Sequence, residues 1–161
     1  MRKIELIEKS HHEAVEWCRV CCRGIIVKDG KVLISREMKT GFRVIPGGGI
    51  DPDERPEACC IREVEEETGY IVTVLEPCVA IYEYWDEAVI IQQYFICRLD
   101  GVGKQNRTES EERNDLQPEW MDLDEALAFF GSYDQQTDRV LRFTYEREFR
   151  ALREAVAKIR G

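Results

Sequence analysis

The order of patterns along this 161-residue chain predicts an α+β fold, with helices flanking a mixed β-sheet. Apolar, β-branched runs come in two blocks, separated by one short helical stretch. An Asp29-Gly30 pair, a strong hairpin signal, joins two runs of the first block directly. Further amphipathic helical stretches follow the second block instead of alternating with strands. That arrangement fits helices on a mixed sheet better than a regular βαβ array.

Residues 3–6 alternate, Ile4 and Leu6 against Lys3 and Glu5, and predict a short strand, although Ile7 breaks the alternation. Ser10-His11-His12-Glu13 predicts a polar loop or a helical turn. Residues 17–27, rich in Val, Ile and Cys, predict a long strand, and residues 31–36 its hairpin partner. Lys39-Thr40-Gly41 predicts a turn, and residues 42–45 a strand that delivers the chain into Pro46-Gly47-Gly48-Gly49. A helix follows over residues 55–68. Pro56 suits its first position, where a missing N–H costs nothing, and Gly69 suits its stop. Residues 71–75 predict a strand closed by Pro77, and residues 79–85 and 88–99 two longer ones joined near Asp86-Glu87. Residues 101–115 predict a long polar loop, and residues 119–121 a short strand. Asp122 caps a helix over residues 123–130, with Glu125 placed to complete a capping box. Phe149, Leu152, Val156 and Ile159 give a C-terminal helix its apolar stripe. No repeat or interdomain linker is visible, so residues 1–161 predict one domain.

Composition narrows the partners. With 43% hydrophobic and 34% charged residues the chain is globular. A net charge of −9 argues against a nucleic-acid polymer or an anionic membrane as partner, yet allows a small phosphorylated substrate, because a bound metal reverses the local field. Seven cysteines in apolar surroundings predict reduced, packed thiols and a cytoplasmic setting. The N-terminus lacks the apolar core of a signal peptide, and no apolar run is long enough to span a bilayer. The oligomeric state stays open, a homodimer included.

The stretch from Pro46 to Tyr70 carries the chemistry. Glu63, Glu66 and Glu67 stand at i, i+3 and i+4, on one helical face. Like charges so placed cost an isolated helix about 0.2–0.5 kcal/mol per pair. A hard divalent cation turns that cost into a gain, and Mg²⁺ is held by few carboxylates plus substrate phosphates. Cys60, Ile61, Val64 and Thr68 form the opposing apolar stripe, with Cys59, Arg62 and the glutamates on the other side.

Gly48-x5-Glu54-x7-Arg62-Glu63-Val64-Glu65-Glu66-Glu67-Thr68-Gly69-Tyr70 resembles the signature box of the Nudix hydrolases. Every fixed polar and glycine position is met. Tyr70 stands where the family usually has an aliphatic residue. The resemblance implies an α/β/α sandwich around a mixed sheet and hydrolysis of a nucleoside diphosphate linked to another moiety. It implies Mg²⁺, sometimes Mn²⁺, as cofactor. By position, Glu63, Glu66 and Glu67 are the implied metal ligands; Glu66, Glu54 and Arg62 are the implied catalytic residues, the last two pairing to hold the loop on the helix; and Gly47 and Gly48 approach the substrate. Nucleoside triphosphates, dinucleoside polyphosphates and nucleotide sugars remain open as substrates; the downstream proline typical of ADP-ribose-cleaving relatives is not evident, since Pro77 lies close to the box. A non-catalytic nucleotide-binding or regulatory domain and a prenyl diphosphate isomerase are the alternatives. The first usually loses box glutamates, all kept here. The second would rearrange its substrate without cleaving it.

Outside the box, several Nudix enzymes take their base from a loop glutamate. Glu109, Glu111 and Glu112 lie where one could come from, and Glu112 is the residue singled out, although a solvated acidic loop is the plainer reading. Cys18-x-x-Cys21-Cys22, with His11 and His12 upstream, reads better as packed strand cysteines than as zinc ligands. Cys59 is expected to pack under the glycine loop, the alternative being a thiol beside the metals. Phe42, Tyr82, Tyr84 and Trp85 could stack on a nucleobase. Arg19, Arg23, Arg36 and Arg43 could bind outer phosphates or a terminal group, or be surface charges.

Overall fold

The computed structural model describes residues 1–11 and 14–161, so the loop expected at His12 and Glu13 lies outside the described residues. The strands are β1 (Arg2–Ile7), β2 (Trp17–Lys28), β3 (Lys31–Glu37), β4 (Arg43–Val44), β5 (Gly47–Gly49), β6 (Tyr70–Trp85), β7 (Ala88–Val102) and β8 (Leu116–Asp122). The helices are α1 (Pro56–Thr68), α2 (Glu109–Arg113), α3 (Leu123–Gly131) and α4 (Arg139–Arg160), with a 3₁₀ turn at Tyr133–Gln135.

The sheet runs β1-β6-β7-β2-β3-β4, with β5 added to β2 and β8 to β3. It is mixed: β1 lies parallel to β6 and β7 parallel to β2, while β6–β7 and β2–β3 are antiparallel. The β2–β3 hairpin turns through Asp29 and Gly30, both at positive φ (52° and 75°), as a two-residue primed turn requires. Strand β2 forks the sheet. Along one edge it pairs with β7; along the other it pairs with β5 at Cys21–Arg23 and with β3 only at Val27 and Lys28.

Alternation along the strands feeds two cores. Ile25 joins Ile34, Tyr94, Phe130 and Leu152 beneath α3 and α4, whereas its neighbour Ile26 joins Leu33, Cys60, Val64 and Phe95 beneath α1. Helices therefore cover both faces, as the sequence predicts. No helix among the described residues is long and apolar enough to cross a membrane.

Four local expectations need correction. Pro77 does not close a strand: β6 continues through it, absorbing the irregularity in register shifts at Val74/Glu76 and Pro77/Val79. The long polar loop contains α2, whose N-cap Thr108 accepts from the Glu111 amide while the Glu111 carboxylate accepts from the Thr108 amide. That is the capping box. At α3, Asp122 Oδ1 accepts from the amides of Asp124 and Glu125, with no return bond from the Glu125 side chain among the described residues. In α4, Ile159 is exposed, and the charged pair Arg147 and Glu148 is buried instead.

Candidate active site

Helix α1 begins where the sequence places it, with Pro56 in its first turn, and ends at Gly69, whose φ of 81° lets its amide reach the Glu65 carbonyl at 2.7 Å. Only its faces differ from expectation. Cys59 and Glu67 are buried along with Cys60 and Val64, because β5 lies over that side of the helix; Ile61 is only half-buried.

Arg62 organises the polar face. Its Nε and one terminal nitrogen donate to the two Glu54 oxygens at 2.7 and 2.8 Å, a bidentate pair. The same terminal nitrogen reaches the Gly49 carbonyl at 3.2 Å. The other donates to Glu63 at 2.9 Å and Glu66 at 3.2 Å. One guanidinium thus ties the glycine loop, Glu54 and two helix carboxylates together. It holds the Glu54 carboxyl down at about 2. Burial pushes Glu63 up, against the pull of Arg62. Gly48 lies directly over Glu63: a Cβ there would stand 2.6 Å from the Glu63 carboxyl carbon. A side chain at Gly48 would displace the Glu63 carboxylate from its place beside Arg62.

Glu67 points the other way. It is 3% exposed and accepts from the Gly47 amide at 3.2 Å. Burial pushes its carboxyl up to about 7, against the pull of Ser35, Arg23 and that amide. It opens on a cleft of ≈ 280 Å³, also lined by Gly47, Arg23, Phe42, Glu111 and Arg147.

The segment before α2 explains how Glu111 reaches this cleft. The Asn106 amide donates to the Glu66 carbonyl at 2.7 Å, and Gln105 Nε2 to the Glu67 carbonyl at 2.8 Å, so the loop caps the carbonyl end of α1. Of the three loop glutamates, Glu111 lines the cleft. Glu112, the residue singled out from the sequence, is exposed outside it, and Glu109 pairs loosely with Arg113. Glu111 is also the capping-box glutamate, one of its oxygens being held by the Thr108 amide.

Other candidates sort by geometry. Of the four aromatics only Phe42 lines the cleft; Tyr82 lies under Lys3, Tyr84 against His11 and Trp85 against Phe143. Of the four arginines Arg23 lines it. Arg43 is engaged with Glu119, which Arg36 also approaches, and Arg19 lies against Gly49. All seven cysteines are free; Cys18 is exposed and the others buried. Cys59 packs under the loop, its thiol toward the Gly48 carbonyl at 3.7 Å, and the neighbouring Cys22 together with burial pushes it up.

A buried polar network on the α4 side has no counterpart in the sequence reading. Arg147 donates to Glu148 at 2.7 Å and to Glu83 at 3.1 Å. Gln92 links Glu83 at 2.7 Å to Arg23 at 2.8 Å, and Glu148 also accepts from the Ile45 amide at 2.6 Å and from Tyr94. A polar residue inside an apolar helical stripe was the available signal, present at Arg147 and Glu148.

Among the described residues no three carboxylate, thiol or imidazole groups converge as they stand to hold a metal ion. The cation beside Glu63 and Glu66 is Arg62. The donor set nonetheless fits a hard dication in kind: carboxylate oxygens from Glu63 and Glu66, now held by Arg62, and from Glu67, which lines the cleft together with Glu111.

Comparison with known proteins identifies the family and the fold. The NUDIX domain family matches residues 19–142. A MutT-like protein of Streptomyces ambofaciens is 35% identical over 92 residues, 56% of this chain and 58% of the relative. An ADP-ribose pyrophosphatase of Methanocaldococcus jannaschii is 38% identical over 58 residues, 34% of either chain. The chain thus spans less than two thirds of both relatives. A solved NUDIX hydrolase from Nitrosomonas europaea shares the fold, with a TM-score of 0.63 at 17% identity over 87% of this chain and 89% of that one. A complete glycine–carboxylate box folded as loop and helix, on a sheet of this topology and within a match over residues 19–142, shows that the chain belongs to the Nudix family.

Proposed function

We propose that this protein hydrolyses the pyrophosphate bond of a nucleoside diphosphate linked to another group, with a divalent cation, Mg²⁺ or Mn²⁺, held by Glu63, Glu66 and Glu67. The observation that carries the reading is Arg62, which gathers Glu54, Glu63, Glu66 and the Gly49 carbonyl around one guanidinium beside the cleft. Bound there, a cation would neutralise phosphoryl charge and lower the pKa of an attacking water.

The chain's own groups do the rest. The Glu54–Arg62 pair fixes the loop on the helix, so Gly47 and Gly48 present backbone without a side chain to the phosphates. Arg62 keeps Glu63 and Glu66 aligned until a stronger cation takes them. Glu111 Oε1 accepts the Thr108 amide, leaving Oε2 to take the water proton. The free thiols favour a reducing, cytoplasmic setting.

The test is mass spectrometry of nucleoside diphosphate derivatives turned over with Mg²⁺ in ¹⁸O-labelled water. Glu66→Gln and Glu67→Gln should each lower metal-dependent turnover by about a hundredfold or more while the protein stays folded. Full activity in both variants sinks the reading. Glu111→Gln should reshape the pH–rate profile and Glu112→Gln should not; the reverse result moves the base to Glu112.

A further inference from the structure

We propose that the outer edge of β1 pairs antiparallel with the same strand of a second copy of this chain, about a twofold axis at Ile4, with Lys3 of each copy opposite Glu5 of the other. The proposal stands apart from the hydrolase reading, since no residue of β1 lines the cleft. Strand β1 ends the sheet. It lies parallel to β6 on one side, and no strand pairs with its other side among the described residues.

The backbone says which groups face outward. The Glu8 amide donates to the Tyr84 carbonyl at 2.9 Å, so Glu8 turns its N–H toward β6. Alternate residues of a strand send their N–H and C=O to opposite sides. Ile4 and Leu6 therefore bond to β6, and Lys3, Glu5 and Ile7 present theirs at the free edge. Two such edges can pair antiparallel only where outward residue meets outward residue.

Charge then chooses the register. An axis at Lys3 sets Lys3 against Lys3, and an axis at Glu5 sets Glu5 against Glu5. Like charges directly opposite are destabilising. An axis at Ile4 sets each Lys3 against Glu5 of the other copy. Within one chain Lys3 Nζ already lies 2.9 Å from Glu5 Oε1 and 4.2 Å from the Tyr82 ring centroid, so the pair is held together on one face. Two copies close these charges into a square of two lysines and two glutamates. The same register sets Met1 against Ile7, the two exposed apolar side chains at the ends of the strand (57% and 66%). Ile4 meets Ile4 on the α4 side. The arginines flanking the edge there are already engaged, Arg2 with Glu154, Arg150 with Glu146 and Arg153 over the Phe149 ring. The contact is small for a protein interface, so the dimer should be weak, with a Kd of about 10–100 μM.

The experiment is sedimentation equilibrium up to about 1 mM protein, with amide exchange followed by NMR across the same range. A dimer should form, and the Lys3 and Glu5 amides should slow in exchange as concentration rises. Lys3→Glu and Glu5→Lys should each weaken association about tenfold, because each change acts twice across the axis. The double exchange Lys3→Glu/Glu5→Lys, which keeps the net charge, should restore it. An equimolar mixture of the two single variants should associate more tightly than either alone. Glu5→Pro removes an outward N–H and no bond to β6, so it should abolish the dimer and leave the melting temperature of the dilute protein nearly unchanged. A protein that stays monomeric at about 1 mM overturns the proposal, as does a dimer that survives Glu5→Pro. A double exchange that fails to restore association overturns the register, and the proposal with it.

Discussion

Two arginine–glutamate clusters, one on each side of the sheet, use the same ions to opposite ends. Arg62 on α1 binds Glu54, Glu63 and Glu66, carboxylates close in sequence, and the side chains stay partly wet (28% exposed for Arg62, 37% for Glu66). Arg147 on α4 binds its neighbour Glu148 and the distant Glu83, with none of the three more than 6% exposed. Partly exposed pairs cost little to rearrange, which is what the proposed exchange of a guanidinium for a cation at Glu63 and Glu66 requires. Dry pairs are fixed, because parting them strands a buried charge. The first cluster is suited to exchange and the second to holding the cleft wall in place.

Unfolding in denaturant gives the largest expected contrast. Arg147→Met should destabilise by about 3–5 kcal/mol, since it leaves Glu83 and Glu148 buried and unpaired. Arg62→Met should cost only about 1 kcal/mol. Equal costs would break the comparison.

The next effect is on pH dependence in metal-free protein. Glu67 is raised from 4.5 to about 7 by burial, so its stabilising protonated form is fully present below 4.5. Stability from this group should fall as pH rises from 4.5 through 7, by about 2–3 kcal/mol, and Glu67→Gln should flatten that slope. Glu54, lowered from 4.5 to about 2 by Arg62, runs the other way. Its contribution is present above 4.5 and lost as pH falls toward 2, and it should vanish in Arg62→Met. Stability curves against pH for the three proteins check both signs.

The smallest effect concerns α2, the helix that carries Glu111. Thr108→Ala removes one half of the capping box of α2 and should cost about 1 kcal/mol. Because no residue of α2 is buried, the loss should appear as faster amide exchange in residues 109–113 with little change in global unfolding.

The first cluster was legible in the sequence and the second was not, for the same geometric reason. Helical periodicity alone puts Glu63 beside Glu66 and Glu67, and the spacing of Glu54 and Arg62 spans one loop and two turns. Nothing local joins Glu83 on β6, Gln92 on β7, Arg23 on β2 and Arg147 on α4; only sheet pairing and the docking of α4 bring them together. In a loop without an assigned helix, Glu109, Glu111 and Glu112 are equivalent, so nothing local separates Glu112 from Glu111. The Thr108-x-x-Glu111 capping box is readable from the sequence, but it fixes the start of a helix and not which glutamate lines the cleft. Strand periodicity puts Tyr82 and Tyr84 on a shared face but does not show what covers it: Lys3 lies over Tyr82 and His11 against Tyr84.

The sequence by itself determined the elements around the box, the helix with its proline start and glycine stop, and the carboxylate face, because all of these depend on neighbours a few residues apart. Tertiary structure alone decided that Glu67 is buried while Glu66 is not, that Glu111 rather than Glu112 faces it, and that Arg23 and Arg147 line one cleft. Burial and charge pairing depend on what lies opposite a residue in space, and in a mixed sheet that partner comes from far along the chain.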